Sequence, residues 1–183
     1  QLMLDEMRLL PCYLPPHRAA PGATAEQRVS MLELALQDCR DLQLDTRELQ
    51  RNKPSYTVDT LAELRAEVGG KTSLVLCMGM DSFSSLDSWH EWQQLIRLAH
   101  IAVVERPGYG LPQLGPVAEL VRRHSAEPAA IQSAAAGALV VTAPRALAIS
   151  ATDIRTQLRT GLSPQFLLPD AVLNYIRAQR LYC

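Results

Sequence analysis

Short, continuous apolar runs recur along the chain and are separated by segments with a different hydrophobic period. Apolar runs of four or five residues at 74–78, 101–104 and 139–142 are typical of parallel strands that are buried on both faces. Two less regular segments, residues 6–10 and 42–45, predict two further short strands. The pattern therefore predicts five strands.

Between these runs, apolar residues recur every three or four positions, which is the period of an amphipathic helix. The first helix is predicted to open at Thr24, because Gln27 stands at the spacing of a capping box. The second begins at Tyr56 or Thr57 and ends at Gly69-Gly70. Four more predicted helices follow: one capped by Asp87 or Ser88 that carries Trp89, Trp92, Leu95, Ile96 and Ala99, one at 117–124, one from Ser150 to Gly161, and one at 171–180.

Strands that alternate with helices predict an α/β fold, namely a doubly wound, Rossmann-like parallel sheet with helices on both faces. The 183 residues are expected to form a single domain, 1–183. Ligands of such sheets bind beyond the carboxyl ends of the strands. Chemistry is therefore expected at residues 11–18, 79–81, 106–108 and 150–155.

Composition excludes several classes of protein. Hydrophobic residues make up 48% and charged residues 20% of the chain, which excludes a disordered chain. The net charge of −1 provides no basic excess for nucleic acid or an anionic membrane. No apolar run approaches the roughly 18 residues of a membrane span. We therefore expect neither nucleic acid nor a membrane as a partner.

The four cysteines show no CxxC spacing, and no histidine or cysteine falls at the spacing of metal ligands. Cys39 and Cys77 lie within apolar patterns, so they are predicted to be small core residues. No secretory leader is expected either. These features predict a cytoplasmic protein with reduced thiols and without metal-ligating side chains.

Glycine-rich phosphate loops do not occur in the sequence, so phosphate binding would have to come from helix N-termini and arginines. Residues 150–155 fit this requirement best. The free N–H groups of a helix start, the hydroxyls of Ser150 and Thr152 and the guanidinium of Arg155 would lie near one another. The alternative is a capping serine followed by a surface arginine.

Three further segments carry candidate chemistry. Lys53-Pro54-Ser55-Tyr56-Thr57 puts hydroxyls and free amides at a helix start, where they could hold a carboxylate, unless the segment is only a cap. The indole of Trp89 could stack on a flat heteroaromatic ring, although its spacing with Trp92 also suits a core residue. Asp81 follows a buried strand, where its carboxylate could accept ribose hydroxyls or simply cap a turn.

A proline-stiffened loop, Pro15-Pro16-His17-Arg18, places an imidazole and a cation at the carboxyl end of the first strand. Such a loop could also be simply solvated. His100 and His124 are predicted to be structural or surface residues. Together, the four candidate segments predict phosphate, carboxylate, ring and ribose partners at the same edge of one sheet.

Six segments follow the order and spacing of a known family along essentially the whole chain: LLPCYLPPHR, RELQRNKPSYTVDTL, GMDSFSSLDSWHEW, ERPGY, ISATDIR and LLPDAVLNYIRAQRLY. With these segments the chain resembles the bacterial nicotinate-nucleotide adenylyltransferases of the nucleotidyltransferase superfamily. The resemblance implies that ATP and nicotinate mononucleotide are converted to deamido-NAD and pyrophosphate in NAD biosynthesis, with Mg2+. The implied partners are these two nucleotides, and the expected state is a monomer or homodimer.

The resemblance also implies roles for individual residues. Arg18 and Arg155 would be catalytic and would contact phosphate, and Trp89 would stack on the pyridine ring. The residues expected to bind the mononucleotide are Cys12, His17, Thr57, Asp81, Trp89 and His90. The residues expected to bind ATP are Arg106, Ile149, Ser150, Thr152 and Arg155.

Two departures from the family pattern matter. The family's GGTFDPxHxGH segment, whose histidines neutralise ATP phosphates, does not occur here, so the chain is expected to be N-terminally incomplete. Cys12 stands where the family usually has asparagine, and cysteine is a weaker hydrogen-bond partner. The alternatives are an adenylyltransferase for another phosphorylated acceptor, such as nicotinamide mononucleotide or phosphopantetheine, and a non-catalytic mononucleotide-binding fragment.

Overall fold

Strands and helices alternate along the chain, as the hydrophobic pattern predicts. A computed structural model describes residues 2–13, 22–51, 54–143 and 149–182. The strands in this part of the chain are β1 (Met7–Leu9), β2 (Leu42–Leu44), β3 (Val75–Gly79), β4 (His100–Val104) and β5 (Leu139–Thr142). The α-helices are α1 (Ala25–Leu36), α2 (Thr57–Val68), α3 (Met80–Phe83), α4 (Trp92–Leu98), α5 (Gly115–His124), α6 (Ala151–Arg159) and α7 (Asp170–Ala178). Short 3-10 segments lie at Arg47–Gln50, Leu86–Ser88 and Pro128–Gln132.

The described residues form two units. The larger unit contains residues 2–3 and 56–143, and the smaller unit contains residues 4–13, 22–51, 54–55 and 149–182. In the smaller unit β1 pairs with β2, and in the larger unit the strand order is β3-β4-β5, with every pair parallel. The predicted α/β fold with parallel strands is confirmed, and the single domain over 1–183 stays a prediction.

The sheet of the larger unit carries the main hydrophobic core. β4 lies between the other two strands, with His100 opposite Val75 and Ile101 opposite Leu139. Ile101 and Val103 are completely buried, and so is Leu95 of α4. Because both faces of β4 are covered, an almost wholly apolar sequence is stable there, and this explains why the strand was predictable from its composition.

Two polar side chains connect the ends of these elements by hydrogen bonds to main-chain atoms. The guanidinium of Arg65 in α2 donates hydrogen bonds to the carbonyls of Leu98 (3.0 and 2.7 Å) and Ala135 (2.7 Å), and to two carbonyls after α2. His100 is completely buried; its Nδ1 accepts the Ala138 amide (2.9 Å), so Nε2 carries the proton and donates to the Ala134 carbonyl (2.9 Å). Of the two alternatives predicted for His100, a structural or a surface residue, the structure shows the first.

The smaller unit has a smaller core. Its α1 begins with the predicted capping box, since Thr24 Oγ1 accepts the Gln27 amide and Gln27 Oε1 accepts the Thr24 amide. Helices α1 and α7 pack on each other around a cluster whose buried members are Ala23, Val172, Ile176 and Leu181. No residue of α6 is buried, so this helix lies at the surface of the unit.

The predicted start of the third helix, at Asp87 or Ser88, is wrong. Trp89 does not lie in a helix, because the chain first forms α3, then the 3-10 segment Leu86–Ser88, and enters α4 only at Trp92. The physical reason is the backbone of Glu91, the N-cap of α4, which adopts the left-handed conformation (φ 50°) and so separates Trp89 from the helix. Before it, serine hydroxyls bond to nearby carbonyls, as Ser84 Oγ does to Met80 (2.8 Å), and favour short turns.

The prediction that Cys39 and Cys77 are core residues is also wrong, because both are exposed. Cys39 follows the end of α1, in the turn that leads to β2. Cys77 lies on β3, which is the end strand of the sheet formed by the described residues, so its side chain is flanked by a neighbouring strand on one side. An apolar sequence pattern cannot distinguish an end strand from a central one.

In the part of the chain described, no helix is both long and apolar enough to cross a membrane.

Candidate functional site

In the larger unit, an ion pair lies just beyond the ends of two neighbouring strands. Asp81 follows β3 and Arg106 follows β4, and Arg106 Nη1 donates to Asp81 Oδ2 at 3.0 Å. About a third of the Asp81 side chain (31%) and 43% of the Arg106 side chain are exposed, so both can reach a ligand. The pair adds little stability in water, but it orients the carboxylate and the guanidinium.

The absence of a side chain at Gly79 leaves room for the carboxylate of Asp81. A Cβ atom at Gly79 would lie 2.6 Å from Asp81 Oδ1, which is closer than non-bonded atoms can approach. Any larger residue at position 79 would therefore push the carboxylate away from the end of β3. The close approach gives Gly79 a local role in placing Asp81.

The start of α2 is a second polar feature of the larger unit. Tyr56 is the N-cap residue, and its own side chain makes no capping hydrogen bond. The first N–H groups of a helix have no partner within it, and together with the helix dipole they favour an anion. Thr57, which is partly buried, adds a hydroxyl at the same point. A carboxylate is the kind of group that this arrangement can hold.

Two aromatic rings connect this helix start to the segment around Trp89. The ring centroids of Tyr56 and His90 are 4.4 Å apart, with an angle of 39° between the rings. Trp89 is partly buried and packs against the main core, whereas His90 is exposed. Glu91 then adopts a left-handed conformation (φ 50°), which turns the chain into α4. The structure thus brings the Trp89-His90 segment to the start of α2.

In the smaller unit, the segment predicted to bind phosphate forms the N-terminus of α6. Ser150 is its N-cap, and Ser150 Oγ accepts the Asp153 amide (3.0 Å) and donates to the Asp153 carboxylate (2.6 Å). The capping role weighed for Ser150 is therefore present. Thr152 and Arg155 are exposed on α6, and Ile149, just before it, is 39% exposed. Their side chains are accessible to a ligand.

Cys12 is half-buried in a polar cluster of the smaller unit. Burial raises the pKa of its thiol above the ordinary 9.0, although a hydrogen bond with Ser55 and the charge of Arg28 act in the opposite direction. The nearby carboxylate of Glu48, which is itself buried, raises the pKa further. The thiol is consequently neutral near pH 7, and it stays partly exposed beside its contacts with Ser55 and Glu48.

The contacts of two side chains in these clusters were not predicted from the sequence. Arg28 donates to the carbonyls of Cys12 (2.5 Å) and Tyr13 (3.2 Å), and the Tyr56 ring lies against the His90 ring at a tilt of 39°. Arg28 occupies an unremarkable polar position of an amphipathic helix, and the contacts of both residues span more than a dozen residues of sequence. A motif could not have revealed them.

Other predicted residues lie outside the described part of the chain. These are His17 and Arg18 of the proline-rich loop, and Lys53. Within the described residues there is no group of three or more His, Cys, Asp or Glu side chains that could hold a metal ion. The roles of the named residues stay predictions.

The amino-acid sequence is similar to those of known proteins along most of its length. Residues 2–157 match the cytidylyltransferase-like family. The chain is 56% identical to a probable nicotinate-nucleotide adenylyltransferase of Cellvibrio japonicus, with 100% of this chain and 86% of that protein covered. It is 45% identical to a probable nicotinate-nucleotide adenylyltransferase of Hahella chejuensis, with 97% and 81% covered.

A solved structure has the same fold. Nicotinic acid mononucleotide adenylyltransferase of Plasmodium falciparum, complexed with NaAD, matches with a TM-score of 0.70 and 14% identity, and the match covers 98% of this chain and 83% of that chain. At this level of identity the likeness establishes the fold alone.

Proposed function

The chain belongs to the nicotinate-nucleotide adenylyltransferases within the cytidylyltransferase-like family, and from this premise we propose that it transfers the adenylyl group of ATP to nicotinate mononucleotide. The products are deamido-NAD and pyrophosphate. The observation that carries the choice of acceptor is the start of α2, where Tyr56, the residue before Thr57, contacts His90 of the Trp89-His90 segment. An anion site next to an indole fits a flat ring that bears a carboxylate.

In the larger unit, the proposal assigns the candidate residues to the parts of the two nucleotides. The amides at the start of α2 and the Thr57 hydroxyl hold the carboxylate of the nicotinate ring, and Trp89 stacks on that ring. Asp81, oriented by Arg106, accepts hydrogen bonds from ribose hydroxyls. A guanidinium has five N–H donors, so Arg106 can bind Asp81 and still donate to a phosphate of ATP.

In the smaller unit, the proposal assigns the phosphates of ATP to the start of α6. The main chain from Ile149 onward, the hydroxyl of Thr152 and the guanidinium of Arg155 bind phosphate oxygens. The Ser150 hydroxyl joins them by turning its proton from the Asp153 carboxylate to the phosphate. Like Arg155, Arg18 neutralises phosphate charge, and His17 and Cys12 contact the mononucleotide. Mg2+ enters as the complex of ATP, as part of the substrate.

The reaction needs no covalent intermediate with the protein. A phosphate oxygen of nicotinate mononucleotide attacks the α-phosphorus of ATP, a new P–O bond forms, and the bond between the α-phosphorus and the bridging oxygen breaks. Pyrophosphate leaves with that bonding electron pair. The residues contribute by holding the two nucleotides in line and by neutralising the charge that develops on the phosphates.

The test is pyrophosphate release from ATP and Mg2+, with nicotinate mononucleotide, nicotinamide mononucleotide and phosphopantetheine as parallel acceptors. We expect release with the nicotinate form above the others. A preference for another acceptor would redirect the substrate assignment. A tryptophan fluorescence response without release from any acceptor would indicate a non-catalytic mononucleotide-binding protein.

A matched pair of variants tests the carboxylate site. Thr57→Ala should raise the KM for nicotinate mononucleotide and leave the KM for nicotinamide mononucleotide nearly unchanged, because the lost hydroxyl serves the carboxylate. Thr72→Ala is the control, since the Thr72 hydroxyl bonds the Val68 carbonyl (2.8 Å) at the opposite end of α2. Equal effects of the two variants would refute the placement. The cytoplasmic location and the monomeric or homodimeric state are retained as predictions of the sequence.

A further inference from the structure

Tyr56 is held at the start of α2 by its main chain and by its ring. Its carbonyl accepts the first hydrogen bonds of the helix, from the amides of Asp59 (3.1 Å) and Thr60 (3.3 Å). The ring is partly buried and packs against the main core of the larger unit. Tyr56 therefore presents a firmly held aromatic ring immediately before Thr57.

The Trp89-His90 segment has a less regular backbone. It lies between the 3-10 segment Leu86–Ser88 and α4, which begins at Trp92. The next residue, Glu91, has a φ of 50° and a ψ of 33°, a left-handed conformation that is strained for a residue other than glycine. Such strain persists where surrounding contacts hold the chain in place. A contact that holds this segment is therefore expected.

The ring of Tyr56 provides such a contact. Its centroid lies 4.4 Å from that of the His90 ring, and the two rings are inclined at 39°. At this separation aromatic rings attract one another. His90 is otherwise an exposed residue. The contact thus joins the exposed end of the segment to a residue that is packed on the core.

We propose that Tyr56 is a positioning residue for the acceptor nucleotide, and that it acts by holding the Trp89-His90 segment beside the start of α2. The inference rests on the proposed function, in which Trp89 stacks on the nicotinate ring and Thr57 binds its carboxylate. Without the Tyr56 ring, the segment has to be ordered as the nucleotide binds, and that ordering weakens binding. The residues proposed for the phosphates of ATP take no part in this contact.

Titration calorimetry with nicotinate mononucleotide measures the effect. Tyr56→Leu should weaken binding by about 3- to 10-fold, the contribution typical of an aromatic pair. Tyr56→Phe keeps the ring and should restore most of that loss. In a His90→Ala background, the Tyr56→Leu change should cost less than about 1.5-fold, because the contact is already lost. An equal loss in both backgrounds would overturn the proposal.

Steady-state kinetics separate positioning from a general loss of structure. Tyr56→Leu should raise the KM for nicotinate mononucleotide and leave kcat and the KM for ATP within about twofold, because acceptor binding alone is affected. Leu74→Ala is the matched control, since Leu74 packs against the same core but precedes β3, at the opposite end of that strand from Asp81. A KM increase of the same size in Leu74→Ala would contradict the proposal.

A second readout needs no ligand. The chain has two tryptophans, so Trp92→Phe leaves Trp89 as the single source of tryptophan fluorescence. In that background, acrylamide should quench Trp89 more strongly in Tyr56→Leu than in Tyr56→Phe, because the segment is no longer held. Equal quenching refutes the positioning role.

Two further outcomes are distinguishable. If Tyr56→Leu does not fold, His90→Ala removes the same contact at an exposed residue; stronger quenching of Trp89 in that variant supports the proposal, and unchanged quenching refutes it. A wild-type chain that neither binds nicotinate mononucleotide nor releases pyrophosphate would contradict the proposed function. The quenching would then show separately whether Tyr56 holds the segment.

Discussion

In the larger unit, Asp81 and Arg106 follow strands of a buried sheet, and Trp89 packs against the main core. In the smaller unit, Thr152 and Arg155 stand on a helix without any buried residue. Changes to the supporting structure should therefore matter more in the larger unit, whereas a site residue of α6 can be removed with little structural cost. The candidate site residues of the larger unit therefore depend closely on the core, and those of the smaller unit on α6 are nearly independent of it.

The largest expected effect is on stability, in a matched pair of leucines. Leu95→Ala in α4 removes a completely buried side chain and should lower the free energy of unfolding by about 2–5 kcal/mol. Leu158→Ala in α6 removes a partly buried one and should cost less than about 2 kcal/mol. Urea unfolding followed by circular dichroism measures both. Equal costs would remove the contrast between the units.

The next effect is on activity alone. Arg155→Ala should reduce pyrophosphate release by about 100-fold, because a charge that stabilises the transition state is lost. The free energy of unfolding should change by less than about 0.5 kcal/mol, since Arg155 is an exposed residue. Arg159→Ala, on the same helix, is the control and should leave turnover unchanged. Normal turnover in Arg155→Ala would contradict the phosphate role of α6.

A third experiment concerns Trp89 of the larger unit, which packs against the core and is proposed to stack on the ligand as well. Trp89→Ala should weaken nicotinate mononucleotide binding by about 1–3 kcal/mol, the range known for base stacking on aromatic side chains. Trp89→Phe keeps an aromatic face and should recover much of that loss. Titration calorimetry separates the two variants. If both bind with wild-type affinity, Trp89 is a core residue only.

The smallest effect is a pH dependence in the smaller unit. Burial opposes ionisation of Asp45, but the hydrogen bonds and charge of Arg47, helped by Arg8, outweigh it and hold the pKa below the ordinary 3.8. The ionised carboxylate therefore stabilises the fold above about pH 3.8, and this contribution is lost as the pH falls through the lowered pKa. Asp45→Asn should flatten the acid side of the stability profile in urea unfolding. An unchanged profile would contradict the assignment.

The sequence predicted best a strand that is buried along most of its length and a helix start that carries a capping box. β5 was predicted at 139–142 and is found there, and Thr24 was predicted as the cap of α1. The start of α4 was missed because the left-handed backbone of Glu91 interrupts a segment that is periodic in hydrophobicity alone. Cys77 was misjudged because composition does not reveal which strand ends the sheet.

The candidate site residues also fall into those that the sequence marks and those that only the fold brings together. Thr57, Asp81, Trp89 and Ser150 were recognisable because they stand at element ends, where a linear pattern marks the position. The contacts of Arg28 and of the Tyr56 ring were not, because they join residues that are distant in sequence. The Asp81–Arg106 pair joins residues 25 apart, which were named separately from the sequence and are linked only by the fold.

His100 gives the larger unit a spectroscopic marker of its own. With Nδ1 accepting from Ala138 and Nε2 donating to Ala134, one tautomer is fixed and the ring cannot flip without breaking both bonds. Its Nε2 proton should therefore exchange slowly with solvent and give a separate signal in a nitrogen-correlated NMR spectrum. The disappearance of that signal would report the opening of the sheet at β4, independently of events in the smaller unit.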